Sequence, residues 1–128
     1  MKKLILVTGT FFGATAVILG AFGAHMLSEN LSPNSLASFE TGMRYQMYHA
    51  LLLILIGLLN GITPKTKKIV LFLLAIGVVL FSGSIYLLAT NALTSFDFTS
   101  IALLTPLGGL LLISAWIVLG MAFLKSSF

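Results

Sequence analysis

Cysteine is absent from this chain of 128 residues, which has only seven basic and three acidic residues. Without cysteine the protein can form neither disulfide bonds nor thiolate ligands to a metal. Charged residues make up 8% of the chain, whereas 59% of it is apolar. A soluble domain of this length needs far more polar surface to cover its core, so the composition is typical of an integral membrane protein.

Several chemical signatures are also missing. The sequence has no glycine-rich phosphate loop and no nucleophile with a base beside it. It has no basic face interleaved with aromatic residues, so we predict no nucleic-acid partner. The middle of each apolar run is nearly free of acids and amides, which argues against an ion channel or pump. The sequence therefore names no catalytic residue and identifies no cofactor, and it disfavours an enzyme.

Four apolar runs alternate with short polar segments. The predicted spans cover residues 4–27, 45–62, 69–90 and 101–124, each close to the ~17–25 residues that a transmembrane helix needs. An alternative for the first run is a signal peptide cleaved near Ala21-Phe22-Gly23, but its apolar stretch is longer than a typical signal core. We predict a single all-α domain, an integral membrane bundle of four transmembrane helices.

The second span is expected to begin outside the bilayer core. Ser32 followed by Pro33 is a typical helix start, with serine as N-cap and proline at the first helical position. The helical segment 33–44 is too polar for hydrocarbon, so we predict that it lies at the membrane interface, with Gly42 as a candidate bend. In the fourth span, Thr105-Pro106 predicts a kinked or loosely wound first turn.

The charges are distributed unequally between the two ends of this predicted bundle. One end holds six of the seven basic residues: Lys2, Lys3, Lys65, Lys67, Lys68 and Lys125. The other end holds Arg44 and the three acids, Glu29, Glu40 and Asp97. Positive charge in short loops marks the cytoplasmic side, so we predict cytoplasmic N- and C-termini and a polar cap on the outer side.

Small residues recur at helical spacing on one face of the first span, including Gly9, Gly13 and Gly20, and predict close packing within the bundle or against a second copy. The other predicted packing positions are Ser82, Gly83, Ser84, Pro106 and Gly109. We expect Gly13→Leu or Gly20→Leu to disrupt assembly and Lys67→Ala to have no effect.

Candidate binding or polar core residues concentrate where the second span enters the membrane. They are His25, Glu40, Arg44, Gln46 and His49, here called the outer polar cluster. Glu40 and Arg44 are spaced for an ion pair on one helix face, and Arg44 could alternatively bind an anion or a lipid head group. His25 and His49 are candidate ligands for haem iron, a metal or a quinone, or they could simply hydrogen-bond to neighbouring helices.

Four blocks of sequence resemble a known family of small bacterial inner-membrane proteins. The blocks are GAFGAHML (20–27), FETGMRYQMYHAL (39–51), LFSGSIYLLA (80–89) and TPLGG (105–109). In this order they resemble domain-of-unknown-function family 423, also called uncharacterised protein family 0382. The resemblance covers nearly the whole chain. It implies a four-span plasma-membrane protein, and it implies no reaction, substrate or cofactor.

Two functions follow as hypotheses. The first is a structural or interaction role, in which the outer polar cluster organises the bundle and contacts membrane lipids, a homo-oligomeric partner or another membrane protein. The second is binding of a small hydrophobic ligand or cofactor, such as haem, quinone or lipid, between the first two helices. A bound chromophore lost in His49→Ala would favour the second hypothesis.

Overall fold

A computed structural model describes residues 1–128 as an all-helical chain. Its four long helices are α1 (Lys2–Asn30), α2 (Pro33–Leu58), α3 (Pro64–Ala89) and α4 (Leu104–Lys125). The all-helical prediction is confirmed. Three stretches are long and apolar enough to cross a membrane: α1, α3, and α4 with the turns that precede it. The polar first half of α2 keeps that helix out of this group, so four crossings stay a prediction.

The second helix is continuous from Pro33 to Leu58. The segment expected at the interface and the span expected after it therefore form one helix, which passes through Gly42 without a break. Ser32 Oγ accepts a hydrogen bond from the Ser35 amide at 3.2 Å, which confirms the predicted helix start. This cap satisfies one of the amides that lack a partner in the first turn.

The helix α3 begins with the same type of N-cap. Thr63 Oγ1 accepts from the Thr66 amide at 3.2 Å, and Pro64 is the first helical residue. Consequently Lys65, Lys67 and Lys68 lie in the first turns of α3 and not in the loop where we expected them. The true turn is at Gly61, the one residue with a positive φ, at +87°. Glycine adopts this left-handed conformation at no steric cost.

Wider and tighter turns interrupt the regular helices. A π turn at Gly23–Leu27 lies within α1, and another at Val79–Gly83 lies within α3. Two 3₁₀ turns, Asn91–Leu93 and Thr99–Ile101, link α3 to α4. The irregular winding expected at Thr105-Pro106 thus lies just ahead of α4. Pro106 is the third residue of that helix, where an N–H would have no intrahelical acceptor.

Between these turns, Asp97 closes the loop through Thr99. The backbone N–H and the hydroxyl of Thr99 both donate to Asp97 Oδ1, at 3.0 and 2.8 Å. These hydrogen bonds lower the pKa of the Asp97 carboxyl because they favour its charged form.

The helices pack in chain order: α1 on α2, α2 on α3, and α3 on α4. The apolar core draws on all four helices, and its largest fully buried side chains include Ile5, Leu53, Leu74 and Leu119. Gly57 packs on Leu6, and Ser126 Oγ donates to Gly61 O at 2.9 Å. The start of α1, the α2–α3 loop and the end of α4 therefore meet at one end of the bundle, here called the lysine end.

Glycines allow the closest helix contacts. A Cβ on Gly9 would lie 2.9 Å from Ile54 Cγ1, and one on Gly57 would lie 2.7 Å from Leu6 Cδ2. Between α3 and α4, a Cβ on Gly108 would overlap the Phe81 backbone nitrogen. The small-residue face of α1 is therefore occupied by α2. Interhelix packing of this kind uses small residues to bring backbones together.

At most of the glycines predicted from the sequence as packing positions, an added Cβ would lie farther from its neighbours than at these positions. A Cβ on Gly13 would meet Ala50 Cβ at 3.9 Å, and one on Gly20 would meet the flexible side chain of Met43 at 3.5 Å. A Cβ on Gly109 would lie 3.7 Å from Phe81, and one on Gly83 would meet nothing within 4 Å. An added Cβ would come within 2.9 Å of another atom at six glycines: Gly9, Gly42, Gly57, Gly61, Gly77 and Gly108.

Candidate functional site

Gln46 is the central residue of a buried polar network. Its side-chain amide donates to Phe12 O at 2.9 Å and to Thr15 Oγ1 at 2.6 Å, both on α1. Its carbonyl oxygen accepts from the Tyr86 hydroxyl on α3 at 2.7 Å. Only 5% of Gln46 is exposed. One side chain on α2 therefore binds two other helices, and both of its N–H groups are used.

Two serines extend the network from the π turn of α3. Ser82 Oγ donates to Gly42 O on α2 at 2.7 Å. Ser84 Oγ lies 2.5 Å from Thr105 Oγ1 on α4 and donates to Phe81 O at 3.0 Å. A π turn commonly marks a functional or packing irregularity in a helix. Here Ser82 lies within the turn and Ser84 directly follows it, and the two serines bind different neighbours.

His49 joins α2 to α4. Trp116 Nε1 donates to His49 Nε2 at 3.2 Å, and His49 Nδ1 lies 2.6 Å from Tyr45 O. An indole nitrogen can only donate, so Nε2 must accept, and the ring proton lies on Nδ1. Both ring nitrogens are thus engaged by the protein, which leaves neither free to ligate a metal.

The network leaves no buried polar side chain unpaired. Every buried side-chain nitrogen and oxygen has a hydrogen-bond partner. A satisfied network rigidifies a bundle, because breaking any bond would leave a polar atom in an apolar environment. The arrangement is suited to holding four helices in one register.

The remaining members of the outer polar cluster lie on the surface. His25, Glu40 and Arg44 are exposed. The Arg44 guanidinium donates to Thr41 Oγ1 at 3.3 Å, on its own helix. The ion pair between Arg44 and Glu40 stays a prediction. The structure thus divides the cluster into two buried residues and three exposed ones.

The two histidines are far apart. Gly13 of α1 faces Ala50, the neighbour of His49, whereas His25 lies about 12 residues further along α1. At ~1.5 Å per residue, the axial separation is about 18 Å. The two rings therefore lie at different depths along the bundle, and no group of three or more His, Asp or Glu side chains forms a metal site.

Several partners in the network were not predicted from the sequence. Thr15, Tyr86, Thr105 and Trp116 were not among the site candidates. Among them, the Tyr86 hydroxyl binds Gln46. The available signal was the presence of hydroxyls and an indole N–H within apolar spans, where each needs an internal partner.

Little space separates the first two helices. The Gly9 and Gly57 contacts bring α1 and α2 within van der Waals distance, and Gly20 packs on Met43 further out. The space near Gln46 lies instead between α1 and α3, in an open groove of about 200 Å³ lined in part by Leu19, Val79 and Tyr86. A haem or quinone between α1 and α2 would have to displace this packing.

These features define a class: a multi-pass helical membrane protein in which a buried hydrogen-bond network joins the helices in the half away from the lysine end. The family model described as "Protein of unknown function (DUF423)" matches residues 19–109. The chain belongs to this family, so the resemblance noted in the sequence is confirmed, and the protein is a multi-pass protein of the bacterial plasma membrane.

Full-length relatives agree with this assignment. A UPF0382 membrane protein of Staphylococcus epidermidis is 40% identical over 123 residues, covering 96% of this chain and 97% of the relative. The UPF0382 membrane protein YwdK of Bacillus subtilis is 36% identical over 127 residues, with 96% and 98% covered. The UPF0382 inner membrane protein YgdD of Escherichia coli is 33% identical over 121 residues, with 90% and 85% covered. No solved structure matches the chain.

Proposed function

We propose that the protein is a non-enzymatic membrane protein that crosses the plasma membrane four times and contacts a lipid or protein partner through the outer half of its bundle. The observation that carries this proposal is the Gln46 network. It fixes α1, α2 and α3 relative to one another with fully satisfied polar groups and leaves no reactive group inside. Such a core supports a rigid scaffold that presents a surface.

The membrane orientation follows from the charges and the helix lengths. The lysine end faces the cytoplasm under the positive-inside rule. At ~1.5 Å per residue, α2 is about 39 Å long, whereas the hydrocarbon core is about 30 Å thick. The polar first turns of α2 would therefore project beyond the core on the outer side.

The exposed face of α2 supplies the candidate contact surface. Thr41, Arg44, Tyr45 and Tyr48 are all at least partly exposed, and 42% of Tyr45 and 55% of Tyr48 is accessible. Tyrosines are enriched at the level of lipid head groups, and an arginine at that depth can reach a phosphate. This face can bind a lipid, a second copy or another membrane protein.

A catalytic role has less support. The acid–base pair that can be drawn from the sequence is Glu40 with His49. Glu40 is exposed, while both ring nitrogens of His49 are occupied by Tyr45 and Trp116. A general base needs a free nitrogen within reach of the proton that it abstracts.

Photo-crosslinking in living cells tests the proposal. A photoreactive residue at Tyr48 or Arg44 should capture a defined lipid or protein, whereas the same residue at Lys3 or Lys68 should not. The two pairs are matched because all four positions are exposed on helices. Defined crosslinks from the lysine end alone, with none from α2, would overturn the proposal.

A further inference from the structure

The outer end of the bundle contains a cleft that shares only Thr105 with the buried network. It lies between the first two turns of α2, the last turns of α3 and the start of α4, and its volume is about 300 Å³. Seven residues line it: Asn34, Ser35, Ser38, Ile85, Leu88, Ala89 and Thr105. We call it the outer-end cleft. Small-molecule sites begin at about 300 Å³, so it has room for a small ligand or for the head group of a larger one.

One wall of the cleft offers free hydrogen-bonding groups. Asn34, Ser35 and Ser38 project from one face of α2. The hydrogen bonds in these turns use backbone amides, from Ser35 to Ser32 Oγ and from Leu36 to Ser32 O. They leave the three side chains available. Several hydroxyls elsewhere bond back to a carbonyl in the preceding turn, as in Thr10, Ser28, Thr41, Thr90 and Ser114.

Thr105 adds an acceptor to the floor of the cleft. Ser84 Oγ uses its single proton to bond Phe81 O, so the proton in the bond between Ser84 and Thr105 comes from Thr105. The lone pairs of Thr105 Oγ1 can therefore accept from a ligand. Opposite the serines, Ile85, Leu88 and Ala89 form an apolar wall.

This lining selects a ligand by its chemistry. None of the seven residues is charged, so an ionic group bound here would gain no opposite charge. Hydroxyl and amide side chains both donate and accept, which matches the hydroxyl groups of a polyol. The apolar wall matches the C–H face of the same molecule. We propose that the outer-end cleft binds an uncharged, hydroxyl-rich group of the glycerol or sugar type.

The inference rests on the proposed function, because it specifies the partner chemistry that the outer half would recognise. Such a group has two sources, the head group of a membrane lipid or a free polyol. The full-length protein, purified in a detergent without sugar, would be mixed with equal amounts of glucosyl-diacylglycerol and phosphatidylethanolamine and measured by native mass spectrometry. We expect at least a fivefold preference for the glycolipid.

Variants locate the binding site. Ser38→Phe would fill the cleft and should reduce glycolipid binding at least fivefold, whereas Ala37→Phe, on the neighbouring exposed face, should leave it unchanged. The double variant Asn34→Ala with Ser38→Ala removes polar groups without adding bulk, so it decides the question if Ser38→Phe does not fold. Equal glycolipid retention in wild type and both cleft variants, or equal binding of phosphatidylethanolamine, would overturn the inference.

A third arm separates the two sources. If millimolar maltose displaces the glycolipid, the cleft takes free polyols as well. If it does not, the cleft requires a lipid-linked head group. Both results support the polyol chemistry. Failure of the inference is distinguishable from failure of the proposed function, because crosslinking from Tyr48 and Arg44 does not depend on the cleft.

Discussion

At the scale of single residues, polar side chains inside the bundle act by joining helices. Gln46 accounts for three interhelix hydrogen bonds, and His49 receives one from Trp116. Both residues were candidates from sequence, because an amide or imidazole within an apolar span needs a partner. Their partners could not be derived from the sequence, since these depend on which helix faces lie opposite each other.

Replacing Gln46 with leucine should destabilise the fold by about 2 kcal/mol. Interhelix hydrogen bonds in membranes contribute ~0.6–1.7 kcal/mol each, and a Tyr86 hydroxyl without its partner adds a further penalty of about 1–3 kcal/mol. Thermal unfolding in detergent, followed by circular dichroism, measures the change. Adding Tyr86→Phe to Gln46→Leu should recover part of the loss. An unchanged midpoint in Gln46→Leu would contradict the role assigned to the network.

Trp116 is the only tryptophan and reports directly on His49. His49→Leu removes the acceptor of the indole N–H, so the fluorescence emission of Trp116 should shift to shorter wavelength. His25→Leu changes the other histidine, which is exposed and distant, and should leave the spectrum unchanged. A spectral shift of equal size in both variants would show that the bond does not determine the environment of Trp116.

At the scale of helices, glycine contacts and caps determine how the elements meet. Gly9 and Gly57 bring α1 onto α2, while Gly77 and Gly108 bring α3 onto α4. Sequence spacing correctly indicated that α1 has a small-residue face, but it did not rank the glycines. The ranking depends on whether a glycine meets backbone, as at Gly108, or a flexible side chain such as that of Met43 at Gly20.

Gly108→Ala should weaken the contact between α3 and α4. The added methyl group would overlap the Phe81 backbone, which cannot move aside as a side chain could, so we expect a loss of about 3 kcal/mol or failure to assemble. Gly120→Ala is the matched control on the same helix, because its Cβ would meet nothing within 4 Å. Chemical unfolding of both variants tests this. Equal stability would show that α4 can shift without penalty.

Lys67 changes an expectation drawn from sequence. Its ammonium donates to Leu59 O at 2.5 Å, at the end of α2. A cation at a helix C-terminus satisfies a free carbonyl and interacts favourably with the helix dipole. Lys67→Ala should therefore lower stability by about 1 kcal/mol, whereas it was expected to be silent. Lys68→Ala removes the same charge from an exposed position. If Lys67→Ala and Lys68→Ala have the same free energy of unfolding, stability there depends on net charge and not on the hydrogen bond to Leu59 O.

At the scale of the whole molecule, the bundle divides into an apolar half at the lysine end and a polar half at the other. The core cluster that contains Leu53, Leu74 and Leu119 occupies the first half, and the Gln46 network occupies the second. In a bilayer, contacts between apolar side chains give little selectivity among helix arrangements, because the lipid tails are just as apolar. Hydrogen bonds in the polar half therefore supply the directionality that fixes the bundle.

Cysteine labelling can establish the number of crossings, because the wild-type chain has no cysteine. Under the four-span topology, Phe96→Cys should react with a membrane-impermeant maleimide added to spheroplasts, because Phe96 lies in the exposed α3–α4 loop. Lys3→Cys, Lys68→Cys and Ser127→Cys should react only after permeabilisation. If α2 does not cross, Lys3→Cys and Ser127→Cys will differ in accessibility, which would exclude four spans.

The sequence by itself determined the membrane class, the helical content, the family resemblance and the approximate helix positions. These depend on composition, hydropathy and short capping motifs, which are local properties of the chain. Only the tertiary structure decided that the small-residue face of α1 packs on α2 and that His49 pairs with Trp116. It also decided that His25 and His49 are separated by about 18 Å along the bundle axis. Those contacts depend on the rotation and register of each helix against its neighbours, and nearly uniform apolar sequences specify neither.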